Sequence, residues 1–136
     1  MCINNKKYNV IVGEYAKNHY IKPFKKKYKS VWWKTFETIE FMLKNIEKLL
    51  KTLKVNKIHI CDIWYIAKYE FNIEWIKVST KASWNRIIIF VNEEKLEITI
   101  LLVYAKTNIK WANETAWWEN EIKKNYKQIA LYFSNL

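Results

Sequence analysis

The chain has 136 residues, 24 Lys and Arg against 13 Asp and Glu, a formal net charge of +11 and a pI near 9.6. With 51% hydrophobic and 17% aromatic residues, it has ample apolar material for a core, which excludes a disordered chain, and its length suits one domain over residues 1–136. Self-repulsion on this scale opposes folding and fits a polyanionic partner: nucleic acid first, an acidic protein next, an anionic membrane surface third.

The wealth of Lys, Asn and Ile also matches what AT-rich coding sequence yields, so part of the charge is compositional. One detail stands against pure drift. All the cations are Lys except Arg86, which sits beside Trp84 at the head of an apolar run. A surface Lys would serve solubility equally well, whereas a planar two-pronged donor for phosphate or carboxylate does not survive that swap. Cys2 and Cys61 lie far apart, without a CxxC pattern or a His-rich set, so neither zinc nor a disulfide framework is expected. The opening MCINNKKYNVIVGEY lacks a signal-like apolar segment. The longest apolar stretch, residues 98–105, is too short to span a bilayer. A cytoplasmic protein without a membrane partner is expected.

In chain order, residues 8–12 (YNVIV) read as a strand closed by Gly13, the only Gly. Residues 15–29 read as a short helix carrying Lys22, Lys25, Lys26, Lys27 and Lys29, with Pro23 starting or kinking a turn. That lysine run is either a phosphate-binding face or a solvated helix surface, the commoner fate of charge runs. Trp32, Phe36, Ile39, Leu43, Ile46, Leu50 and Leu53 then recur at alternating spacings of four and three, the core face of a long helix. Ser30 is its expected N-cap, and Lys51 and Lys54 suit its C-terminal dipole. Residues 56–69 fit a strand or a short helix equally. Strands are expected over 72–79, 86–92 and 97–105. The polar residues 92–95 join the last two as an antiparallel hairpin, and their unbroken β-branched runs mark strands buried on both faces. A last helix follows Asn113 as N-cap, with Glu114 in its first turn and Lys123, Lys124 and Lys127 in its last.

This order of elements in a small basic chain resembles the RelE/ParE superfamily of bacterial toxins. The likeness is sharpest over residues 75–126, where WIKVSTKASWNRIIIFVNEEKLEITILLVYAKTNIK is similar to the family's meander. Tyr104, Lys106 and Thr107, followed by NETAWWENEIKKNY, resemble the RelE/HigB-like branch. YNVIVGEY, HYIKPFKKKYKS and the long helix fit the family's first strand and helical hairpin. The resemblance implies an α+β fold: a small antiparallel meander sheet with an N-terminal helical hairpin packed on it and a C-terminal helix. It implies the toxin of a toxin–antitoxin pair, a metal-independent, ribosome-dependent messenger RNA endoribonuclease. The implied partners are messenger RNA on the ribosome and an acidic antitoxin, with no cofactor.

Carried over position by position, Arg86, Lys106 and Lys81 match the family's catalytic cations. Lys77, Lys110, Lys25, Lys26, Lys27 and Trp111 are expected to hold RNA. Arg86 has a plainer alternative, an ion pair with Glu74 or Glu97. Several relatives place a Tyr or His soon after the final strand, whereas TNIKWANETAWW offers neither. The proton-transfer role is therefore unassigned, with Tyr104, Tyr126 or a Lys of lowered pKa as substitutes. Of the adjacent Trp117 and Trp118, one is expected in the core and the other exposed. Two other functions fit the same reading: a ParE-like gyrase poison without nuclease activity, and a non-catalytic basic nucleic-acid-binding module.

Overall fold

The structure, a computed structural model, describes residues 7–52, 54–71, 73, 85–106, 109 and 113–133. Of the strand expected over 72–79 only residue 73 is described, and Glu74, Lys77, Lys81, Lys110 and Trp111 lie outside the described residues. Five strands, β1 (Asn9–Val12), β2 (Val55–Cys61), β3 (Trp64–Phe71), β4 (Asn85–Asn92) and β5 (Glu97–Ala105), form one sheet in the order β1-β5-β4-β3-β2. From β2 to β5 the sheet is an antiparallel meander, and β1 joins its far edge parallel to β5. The expected α+β architecture is present.

Between β1 and β2 run α1 (Glu14–Ala16), a π-helical turn (Lys17–Ile21), α2 (Lys22–Tyr28), α3 (Ser30–Lys44) and α4 (Ile46–Leu49). After the sheet come α5 (Glu114–Asn125) and α6 (Lys127–Ala130). Pro23 falls in the first turn of α2, which continues directly from the π-helical turn through Ile21 and Lys22 at helical dihedrals, so its missing N–H removes one donor from the helical run. Ser30 is not the cap of α3. It is the first helical residue, and the cap is Lys29, held at φ 52° with no side-chain cap bond. The long helix stops at Asn45, whose φ of −110° and ψ of 42° leave the helical region and whose side-chain amide donates to the Phe41 carbonyl at 2.9 Å. The apolar stripe carries on across this break into α4, with Leu49 buried as well. Residues 56–69 resolve as the β2–β3 hairpin, turned by Asp62 and Ile63 with Asp62 at φ 36°.

Alternation in the strands gives the sheet two apolar faces. Tyr65, Ala67, Tyr69, Ile87, Ile89 and Val91 point to one, which α2 to α4 cover with Phe24, Trp32, Ile39, Leu43 and Leu49. Ile66, Ile88, Phe90 and Leu102 point to the other, covered by Trp118 and Ile122 of α5 and by Phe133. Burying a large apolar side chain fully stabilises by roughly 1.5–3 kcal/mol, so two covered faces explain the lack of polar alternation in β4. Trp118 is fully buried and Trp117 only partly so, as their adjacency on one helix requires.

A bulge decides what the second face presents. Ile88 pairs with Leu102, but the next residue, Ile89, pairs with Ile100, leaving Leu101 as an extra residue in β5. An extra residue reverses the in–out alternation of everything beyond it. Ile98 and Ile100 therefore join the face under α3, whereas Leu102 and Tyr104 turn toward α5.

Candidate functional site

With that reversal, the strand ends assemble a polar cluster on the α5 side. Glu70 on β3, Arg86 on β4 and Tyr104 on β5 are direct cross-strand neighbours. Arg86 Nη2 lies 3.6 Å from Glu70 Oε2 and Nη1 donates to the Asn85 carbonyl at 3.1 Å. The pair is 5% and 4% exposed. Its partner is thus Glu70, not Glu97, which begins β5 at the opposite end, and Glu74 lies outside the described residues. Tyr104 donates to Glu114 Oε2 at 2.5 Å, and Glu114 Oε1 lies 3.9 Å from Lys106 Nζ. The Lys106 side chain is 44% exposed and that of Glu114 only 15%. Lys106 forms the open end of a chain running Glu70, Arg86, Tyr104, Glu114, Lys106.

Charge alternates along this chain, which explains how an Arg and a Glu stay buried: removing two charges from water is offset only when each is paired. Burial, and then the hydrogen bond to the Glu114 carboxylate, push the Tyr104 phenol well above its ordinary range. Tyr104 therefore stays protonated near neutrality and works as a donor, not as a base. Glu114 is the acceptor in the cluster, placed between a phenol and an ammonium group. Asn113 sets it there: its side chain accepts from the Ala116 N–H at 3.1 Å and starts α5, as the sequence predicts. Trp117 packs edge-on to the Tyr104 ring at 4.8 Å.

The other glutamates of α5 also reach back to the body. Glu119 takes His59 Nε2 at 2.5 Å, and Glu121 accepts from Tyr20 at 2.6 Å and Tyr15 at 3.2 Å. Burial, then the bond to Glu121, raise the Tyr20 phenol strongly. Tyr126, weighed above as a proton carrier, is occupied elsewhere. Its hydroxyl donates to the Leu101 carbonyl at 2.8 Å and accepts from the Ala16 N–H at 3.0 Å, and burial lifts it to about 12.

Of the residues singled out in the sequence, Arg86 and Lys106 meet in this cluster. Lys25, Lys26 and Lys27 lie exposed on α2, on the opposite side of the sheet. Glu70 and Glu114 were not foreseen as site residues. For Glu114 the signal was its place in the first turn of a helix, which has an ordinary dipole explanation; for Glu70 there was none without the register of β3. Among the described residues no three His, Cys, Asp or Glu side chains gather as a metal would require, Cys61 is a free thiol, and no helix is long and apolar enough to cross a membrane.

A helix-backed antiparallel meander with a parallel edge strand is the RelE-like fold. A chain of the archaeal RelE–RelB complex from Pyrococcus horikoshii OT3 is similar over 76% of this chain and 99% of its own length, with a TM-score of 0.55 and 14% identity. At that identity the likeness shows the fold alone. The sequence matches no protein-family profile and no curated protein.

Proposed function

We propose that the chain is the toxin of a toxin–antitoxin pair, one RelE-like domain that cleaves messenger RNA on the ribosome without a metal. The observation that carries this reading is the convergence of Arg86, Tyr104, Glu114 and Lys106 at one end of a RelE-like sheet in a chain of net charge +11. The chemistry needs a ribose 2′-oxygen to lose its proton and attack the neighbouring phosphorus, forming a 2′,3′-cyclic phosphate while the P–O5′ bond breaks and the 5′-oxygen takes a proton from water. Glu114 is the proton acceptor. Lys106, at the open end, balances the negative charge that builds on the phosphate, as fixed cations do in a pre-organised site. Arg86 holds Tyr104's surroundings positive from within the sheet. Lys81 is the third catalytic cation, and Lys77, Lys110 and Trp111 complete the grip on the messenger. An acidic antitoxin suits the basic surface, and the similar archaeal protein is itself found with RelB.

One observation favours a second reading, a ParE-like gyrase poison or a binding module without chemistry. Arg86 already faces Glu70, and Tyr104 and Lys106 already face Glu114, as in a purely structural network. Controlled expression in bacteria separates the two, comparing wild type with Lys106→Ala, whose exposed position spares the fold, while growth and ribosome-positioned messenger 5′ ends are followed. The nuclease reading expects growth arrest and new cuts, falling about 10²- to 10³-fold in the variant. Soluble wild-type protein with normal growth and intact messenger sinks it. DNA damage without messenger cuts selects the gyrase poison.

A further inference from the structure

On the side of the sheet away from the polar cluster, α1, the π-helical turn, α2 and α3 enclose an open cleft of about 350 Å³. Its aromatic lining is Trp32, Trp33 and Phe36 of α3, and its cations are Lys17, Lys22 and Lys25. Trp33 is 65% exposed. A tryptophan left so bare beside a buried one has no packing role to explain it. The wide turn over Lys17–Ile21 contributes to the arrangement, because i→i+5 bonding brings residues five apart onto one side, and Lys17 and Lys22 line the same cleft.

Around the cleft the charge is mainly positive. From residue 15 to residue 36 the chain carries Lys17, Lys22, Lys25, Lys26, Lys27, Lys29 and Lys34 and no Asp or Glu. No carboxylate among the described residues pairs with any of the seven. We infer that this cleft binds single-stranded RNA, taking one base against Trp33 and Phe36 while Lys17, Lys22 and Lys25 hold the flanking phosphates. Aromatic faces interleaved with lysines are how single strands are gripped without sequence readout. An acidic helix would instead need apolar anchors at successive turns, whereas this wall sets its aromatics among lysines. Glu14, the one carboxylate on the wall, is an acceptor for the exocyclic amino group of adenine, so adenosine oligomers are the probe.

The inference rests on the reading that the chain acts on RNA, and it places a second RNA contact outside the proposed cutting site. The test is fluorescence anisotropy of a labelled eight-nucleotide adenosine oligomer with the purified full chain over a salt series, each variant first checked for its fold by circular dichroism. Trp33→Ala is expected to weaken binding by about 5- to 150-fold, the measured range for losing one stacked base. Lys22→Ala with Lys25→Ala should reduce the slope of log affinity against log salt by about 1.4, as two lost single-strand phosphate contacts require. Lys48→Ala with Lys51→Ala removes the same charge from a different exposed surface and should leave the slope nearly unchanged.

Equal losses in both double variants, with no change in Trp33→Ala, overturn the inference in favour of a merely cationic surface. Binding of a glutamate-rich peptide, lost in Trp33→Ala while the oligomer never binds, overturns it in favour of a protein groove. A chain that binds the oligomer through Trp33 yet cuts no messenger removes the nuclease reading and leaves the cleft standing.

Discussion

Arg86 and Glu70 are each about 5% exposed or less and meet at 3.6 Å. Breaking a buried pair from one side leaves the other charge stranded, at a cost of roughly 3–5 kcal/mol. Arg86→Ala is therefore expected to lower unfolding stability by about that amount in urea melts, and Glu70→Ala to lower it less, since Arg86 keeps its bond to the Asn85 carbonyl. The Arg86→Met, Glu70→Met double variant should recover most of the loss, since hydrophobic replacement of both partners is often neutral; a double variant as unstable as the sum of the singles would show that the pair is not coupled. Loss of activity in Arg86→Ala alone thus says little about catalysis. The sequence marked Arg86 by its solitude among lysines, and the structure buries its guanidinium against Glu70 and the Asn85 carbonyl, a forked arrangement that a lysine does not reproduce. Its partner was not legible, because Glu70 meets it through the register of a strand whose existence was itself undecided.

At the scale of elements, the strands with unbroken β-branched runs were readable to the residue or nearly so, and the helix after Asn113 was fixed by its cap. The β2–β3 hairpin was not, since its two-residue turn has neither Gly, Pro nor Asn and leans on Asp62 at positive φ. The break at Asn45 was hidden for a different reason: the four-and-three spacing of the stripe persists across it. The bulge at Leu101 left no trace in the sequence, yet it turns Tyr104 toward Arg86. It is held from outside by Tyr126, bonded to the Leu101 carbonyl, and by Gly13, whose N–H donates to the Ile100 carbonyl at 2.8 Å. A Cβ on Gly13 would stand 2.6 Å from the Tyr126 hydroxyl and 2.8 Å from that carbonyl. Gly13 has ordinary extended φ and ψ, so close approach, not backbone freedom, requires the glycine. Gly13→Ala should cost about 1–3 kcal/mol by overpacking. Adding Tyr126→Phe should return only part of it, because the backbone carbonyl remains in the way. Thermal melts of the single and double variants test this, and full recovery in the double would place the whole conflict on the hydroxyl.

For the molecule as a whole, the acids are few and the tyrosines many, so the alkaline limb of stability is the informative one. Burial raises the phenols of Tyr8, Tyr65, Tyr69 and Tyr104 above their ordinary range, and Tyr20 is lifted further by its bond to Glu121. For Tyr69 burial is the sole cause, and its phenol reaches about 12 against 10 when free. Raised folded values mean that the folded chain keeps protons that the unfolded chain releases. The stabilisation is complete below about pH 10 and is lost as the pH climbs through the folded values. Each such tyrosine contributes a slope of up to about 1.4 kcal/mol per pH unit in that window. Tyr69→Phe removes one titrating group while keeping the ring that packs under the helices. Its urea-derived stability, followed from pH 8 to pH 12, should fall less steeply above pH 10 than that of the wild type, and the two curves should run parallel below it. Curves parallel across the whole range would mean that Tyr69 titrates alike in both states, and that the ring is not shut away from water as the packing of Ile87 and Phe71 around it requires.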